Sequence, residues 1–182
     1  MTEEFTISIF SENRIGLLNR ITIIFTRRKL NIESLTVSES AIHGIHKFTI
    51  VVNSTEDKIK AVTKQIEKLV EVLKAYYYRN EDIVHEEIAL YKVPTEALMN
   101  SNKIEELVRK HNARILEVTP TYTVIEKTGH QAETNALFKA LNEFKVLQFT
   151  RSGRIAITKD NVEFLSNFIK EREKHKESLN LN

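Results

Sequence analysis

The sequence predicts an α+β fold of two tandem βαββαβ units, each an antiparallel sheet with both helices on one face. Three observations carry this. Apolar spacing switches between periods of 2 and 3.6 in the order β-α-β-β-α-β by residue 80. The same order returns, more weakly, between residues 86 and 160. Each helical segment has a single apolar stripe, so both helices of a unit can cover one sheet face. Such an order is the ferredoxin-like, split βαβ arrangement, and it leaves the other sheet face available for a partner.

In the first unit (4–80), Phe5, Ile7 and Ile9 alternate with polar residues, as in a half-buried strand. From Gly16 the spacing becomes helical through Leu17, Leu18, Ile21, Ile24 and Phe25. Arg27 and Arg28 fall in its last turn, where cations suit the helix dipole. "NIESLTV" reads as a strand, Gly44 as a hairpin turn, and Phe48, Ile50 and Val52 as the inward residues of the next strand. A stripe through Ile59, Val62, Ile66, Leu69, Val70 and Leu73 predicts the second helix, and "AYYYRN" a short aromatic strand. Residues 79–86 form the connection.

The second unit (86–160) begins with the strand "EIALYKV" and a helix over 95–111 carrying Leu98, Ile104, Leu107 and Val108. "ARILEVT" and "YTVIEKT" pair around Pro120; Ala136, Leu137, Ala140, Leu141 and Phe144 mark a helix, and "KVLQFTRSG" closes the unit. The tail (161–182) has Phe164, Leu165 and Phe168 at helical spacing before the charged end "KEREKHKESLNLN", expected to be solvated.

With 182 residues the chain can bury two small cores. Its 27 Lys and Arg nearly balance 25 Asp and Glu, so no one-signed field marks it for nucleic acid. The absence of cysteine removes thiolate nucleophiles, disulfides and Cys-based metal sites. The acidic first residues do not resemble a secretory leader, and no apolar run approaches the roughly 18 residues of a membrane span. A cytoplasmic protein with no membrane association is expected.

Catalytic signatures are missing. There is no Gly-x-Ser-x-Gly, phosphate-cradling Gly-x-x-x-x-Gly-Lys or His-Glu-x-x-His. Six histidines are scattered; His43 and His46 near the hairpin suit surface turn residues better than metal ligands, so no metal is expected. The pairs Glu86-Glu87 and Glu105-Glu106 read as exposed charges rather than a general acid and base. Tyr76, Tyr77 and Tyr78 suit packing against the helices or an interface better than base stacking, because "HKFTIVV" lacks the aromatic core of RNA-binding sheets.

The segment "SENRIGLLNRITIIFTRRKLNIESLTV" differs from the rest. A strand that leads straight into a helix leaves backbone N–H groups near Arg14 to Leu18 unpaired, and the helix dipole favours an anion there. Gly16 lets a ligand reach the backbone, and Asn13 and Asn31 each offer a donor and an acceptor. Together they suit the carboxylate and ammonium of a free amino acid. The same residues also suit a simple helix cap and a strand start.

These residues resemble the N-terminal ACT domain of the small, regulatory subunit of acetolactate synthase (acetohydroxyacid synthase). The pattern is carried by Glu12, Asn13, Gly16 and Leu18, and by Asn31, Ile32, Glu33, Ser34, Leu35, Thr36 and Val37. The resemblance continues through "QIEKLVEVLK", "ILEVTPTYTV" and "TRSG", covering most of residues 5–158. It implies a subunit with no active site of its own, acting in branched-chain amino acid biosynthesis. Such a subunit binds and activates the large catalytic subunit and confers feedback inhibition by valine or a related amino acid. It also implies an ACT-paired homodimer. Asn13, Gly16, Leu17 and Leu18 of one chain, with Asn31 and the Ile32 backbone of the other, would bind the effector. No cofactor is expected in this chain; thiamine diphosphate, Mg²⁺ and FAD would belong to the catalytic partner. The alternative is a stand-alone double-ACT amino-acid sensor acting on transcription, which would need a basic DNA-binding element. Two departures stand out: Lys29 and Leu30 where relatives carry glycine and then an aromatic residue, and Ser11 where relatives often carry an apolar residue. Glycine at a helix end commonly takes positive φ, which lysine adopts only at a cost, so a slightly different end to the helix is expected.

Overall fold

The computed structural model describes residues 2–99 and 102–161; the expected tail helix of Phe164, Leu165 and Phe168 lies outside them. The chain divides into two compact units, one of residues 2–84 with 157–161 and one of His85–Ala156.

The first unit runs β1 (Glu3–Glu12), α1 (Leu17–Arg27), β2 (Ser34–Glu39), β3 (Ile45–Ser54), α2 (Glu56–Ile66) and β4 (Val72–Arg79). Its sheet has the order β2-β3-β1-β4, antiparallel throughout. This is the ferredoxin-like order that the apolar periods predict. Phe5, Ile7 and Ile9 of β1 and Phe48, Ile50 and Val52 of β3 meet Leu17, Ile21 and Phe25 of α1 and Ile59, Val62 and Ile66 of α2 in one buried cluster. Each fully buried aliphatic or aromatic side chain contributes about 1.5–3 kcal/mol, so this cluster fixes which face of each element turns inward.

The opposite face is not open, contrary to expectation. Thr6, Ser8, Thr49 and Val51 at its centre are at most 4% exposed. The tyrosines divide by strand alternation: Tyr77 packs on the core and donates to Glu56 Oε1 at 3.2 Å, while Tyr76 and Tyr78 stack on each other.

The second helix also stops earlier than its stripe suggests. Leu69 and Val70 lie in the turn after Ile66, Val70 is 95% exposed, and Leu73 already belongs to β4. Pairing of Val72 with Ser11 of β1 ends the helix, because the ladder needs that residue extended.

The second unit repeats the topology with β5 (Ile83–Pro94), α3 (Thr95–Met99), α4 (Lys103–Lys110), β6 (Arg114–Val118), β7 (Tyr122–Gly129), α5 (Gln131–Leu141) and β8 (Gln148–Arg151). The order β6-β7-β5-β8 matches that of the first sheet. Where one helix over 95–111 is expected, two are found, α4 starting after Asn102. The closing strand starts at Gln148, not Lys145, because Lys145 takes φ 63° to close a 3-10 turn over Asn142–Phe144. A ninth strand, β9 (Ile155–Thr158), pairs with β5 and is not predicted, because Ile155, Ala156 and Ile157 form a short apolar run without alternation.

"TRSG" has a packing role. Arg151 pairs with Glu87 at 3.2 Å and donates to Asn135 Oδ1, while Ser152 Oγ accepts the Ile88 N–H. Tyr91 lies in this core with its hydroxyl on Thr134 O at 2.7 Å; burial pushes its pKa up to about 12.

Helices α1 and α4 end alike. Leu30 N–H returns to Phe25 O and Lys29 N–H to Thr26 O; Ala113 N–H returns to Val108 O and Asn112 N–H to Arg109 O. Both are Schellman closures, with Leu30 packed on the core. They require positive φ, 54° at Lys29 and 49° at Asn112. Asparagine tolerates this region and lysine does not, at a cost of about 1–2 kcal/mol. Part of that strain is recoverable, since glycine also gains freedom in the unfolded chain. Lys29→Gly is therefore expected to stabilise the protein by about 0.5–1 kcal/mol in urea unfolding. An unchanged or lower midpoint would contradict the strain at Lys29.

Candidate functional site

The β1–α1 turn is suspended between two other segments of its unit. The β1–β4 register shifts between Phe10 and Ser11, after which Glu12 N–H reaches Glu71 O at 3.0 Å, just ahead of β4. Asn13 N–H reaches Gly44 O at 3.3 Å in the β2–β3 hairpin. Gly16 then enters the helix at φ 83°, its carbonyl accepting Arg20 N–H at 3.2 Å, while Leu17 N–H turns back to Arg14 O. A Cβ built on Gly16 would meet no atom within 4 Å. Glycine is needed here for its backbone conformation, and the space above it is open.

The start of α1 is electrically bare. It has no side-chain cap and no acidic residue in its first turn. By contrast α2 has Glu56 and Asp57 there, α4 has Glu105 and Glu106, and α5 has a capping box in which His130 N–H donates to Glu133 Oε2 at 2.8 Å. Among the described residues, the N–H groups of Gly16, Leu18 and Asn19 find no acceptor within the chain. Unpaired donors at a helix N-terminus favour a carboxylate or another small anion.

Charges ring this turn. Arg14 pairs with Glu12 at 3.1 Å, and Arg20 from the second turn of α1 pairs with Glu71 Oε1. The Arg20 hydrogen bond holds the Glu71 carboxyl below the usual carboxylate range. Its other oxygen, Oε2, is the one buried side-chain polar atom without a hydrogen-bond partner among the described residues. Neither Arg20 nor Glu71 was marked by sequence reasoning. The signal lay in strand order: in this topology β4 lies beside β1, so the residue entering β4 sits against the end of β1.

The sequence-predicted residues divide into distinct roles. Asn13 and Gly16 are exposed on the turn, and Leu18 is 43% exposed beside it. Leu17 is 1% exposed, so its side chain serves the core. Ile32 is half-buried against the same core. Asn31 is exposed, with its amide donating to Glu33 Oε1 at 3.0 Å. Among the described residues no hydrogen bond joins Asn31 to the α1 turn of the same chain. Elsewhere, His43 Nδ1 lies 3.1 Å from Glu39 Oε1. Among the described residues no three His, Cys, Asp or Glu side chains are grouped to hold a metal, and no helix is long and apolar enough to cross a membrane.

Comparison with known proteins agrees with the residue pattern. The family model of the ACT domain of acetohydroxyacid synthase small subunits matches residues 7–74, and that of the small subunit of acetolactate synthase matches 86–160. The acetolactate synthase small subunit of Mycobacterium bovis is 32% identical over 154 residues, covering 85% of this chain and 91% of the relative. The Bacillus subtilis small subunit is 34% identical over 148 residues, covering 81% and 86%. The crystal structure of the small subunit from Thermotoga maritima superposes with a TM-score of 0.79 at 31% identity, covering 88% of this chain and 99% of that one.

The chain belongs to the acetolactate synthase small-subunit family. In this chain the bare start of α1 lies within the ACT domain, and the family pattern around it converges on one turn only in part. Asn13, Gly16 and Leu18 gather there, Leu17 has its side chain in the core and its N–H on Arg14 O, and Asn31 and Ile32 follow the strained end of the same helix. Because Gly16 is confined by conformation and not by contact, Gly16→Ala is expected to cost about 1–2 kcal/mol of stability with no steric overlap. Denaturant unfolding checks this, and a neutral substitution would show that the turn relaxes out of positive φ.

Proposed function

We propose that the chain is the non-catalytic regulatory subunit of acetolactate synthase. In this reading it binds the large thiamine-diphosphate subunit, raises its activity and makes it sensitive to valine or a related branched-chain amino acid. The observation that carries the effector role is the group of unpaired N–H donors at Gly16, Leu18 and Asn19 in a family member whose other long helices are capped or carry acids.

The effector carboxylate sits on those donors, where the helix dipole stabilises it. Asn13 supplies an amide from the same chain. Asn31 and the Ile32 backbone come from the second chain of an ACT dimer, consistent with the distance in role between Asn31 and the turn within one chain. A site shared by two chains couples occupancy to their arrangement. That coupling can alter the catalytic subunit only by as much as the effector discriminates between two states, typically about 1–3 kcal/mol. Thiamine diphosphate, Mg²⁺ and FAD belong to the catalytic subunit, and this chain supplies regulation alone.

Gly16→Asp tests the assignment. It adds a carboxylate where the effector's own should lie, so half-inhibition is expected to need at least about tenfold more valine. Activation of the catalytic subunit should persist. The reconstituted enzyme, assayed for acetolactate across a valine series, decides it; unchanged inhibition would remove the site. Acetolactate made by the purified chain alone would overturn the regulatory reading.

A further inference from the structure

We infer that the Arg20–Glu71 ion pair sets the charge, and hence the effector affinity, of the α1 entrance. The inference rests on the effector-site reading above. Neither side chain is assigned contact with the effector; both act through position and field.

The geometry gives the pair this role. Glu71 is tied to the turn by its main chain, whose carbonyl accepts Glu12 N–H, and to helix α1 by its side chain on Arg20. Arg20 is tied back to the turn through its own N–H on Gly16 O. One ion pair therefore spans the end of β1, the first turns of α1 and the start of β4. The pair is partly exposed, Arg20 at 43% and Glu71 at 21%. Among the described residues Glu71 Oε2 is a buried oxygen with no hydrogen-bond partner, so the carboxylate is held there at a cost in stability. What the carboxylate does supply is a negative charge that neutralises the nearest helix cation not otherwise paired, since Arg14 is engaged by Glu12.

The consequence is a pair of substitutions with opposite signs. Glu71→Gln leaves the Arg20 guanidinium, carried by the early part of α1, without its counter-charge and should tighten binding of a carboxylate ligand. Arg20→Gln leaves the Glu71 charge uncompensated and should weaken it. Each change is expected at about two- to fivefold, the scale of a helix-terminal or surface charge. The double variant Arg20→Gln/Glu71→Gln should return close to the wild-type value. Because the effect is a field, both shifts should shrink in high salt.

The experiment is calorimetric titration of L-valine, L-leucine and L-isoleucine into the full chain, as wild type, the three variants and Gly16→Asp, at low salt and in 0.5 M KCl (about a 4 Å screening length). Opposite, salt-sensitive shifts with recovery in the double variant support the inference. Shifts in one direction, or none, with binding still lost in Gly16→Asp, overturn it and leave the effector site standing. If Gly16→Asp binds as wild type does, or no ligand binds the wild type, the effector-site reading falls and the inference falls with it.

Discussion

The first unit depends on the burial of one face of β1. Phe5, Ile7 and Ile9 lie at 1% exposure or less, and the strand is paired on both sides, by β3 and by β4. A strand held so centrally cannot shift register without turning three large side chains out of the core. Its end at Glu12 is therefore fixed, and so is the point where the chain must turn into α1. Leu17, Ile21 and Phe25 then dictate which way that helix lies. Between these two constraints only four residues remain, 13–16, and Gly16 at positive φ closes the gap. The bare helix start is thus a product of core packing.

Both ends of α1 carry unusual backbone. At its start the strain is relieved by glycine; at its end Lys29 bears it, in the same closure that Asn112 makes at the end of α4 with a better-suited residue. The recurrence of that closure, with the same strand order, shows the tandem units as two versions of one plan. They differ in finish. The second adds β9 to its sheet and caps α5 through His130 and Glu133, whereas the first leaves α1 uncapped.

Much of this was legible in the sequence, and the failures have physical causes. Alternation at Phe5, Ile7, Ile9 and at Phe48, Ile50, Val52 fixed both strands, and helical spacing placed α1 correctly. A different end to α1 is expected where Lys29 replaces glycine, yet Lys29 itself takes the positive φ and the closure is kept. Apolar spacing misled at Leu69, Val70 and Leu73, where helical period continued by coincidence while strand pairing had already claimed Val72. Spacing was right at Leu17, which falls in the apolar stripe of α1 and is buried in the core; only the family resemblance linked that residue to an effector. Arg20 and Glu71 were invisible because residues 51 positions apart meet only through sheet order. The closed outer face of Thr6, Ser8, Thr49 and Val51 could not be read from alternation, which marks one buried face and is silent about the other.

The central claim is that unpaired backbone donors at the start of α1 receive the effector's carboxylate. Amide chemical shifts and hydrogen exchange of the full chain, followed during titration with L-valine, address those donors directly. The account predicts that the amides of Gly16, Leu18 and Asn19 shift together at one apparent affinity and become protected from exchange. Valine binding that leaves these three amides unmoved and unprotected would contradict it.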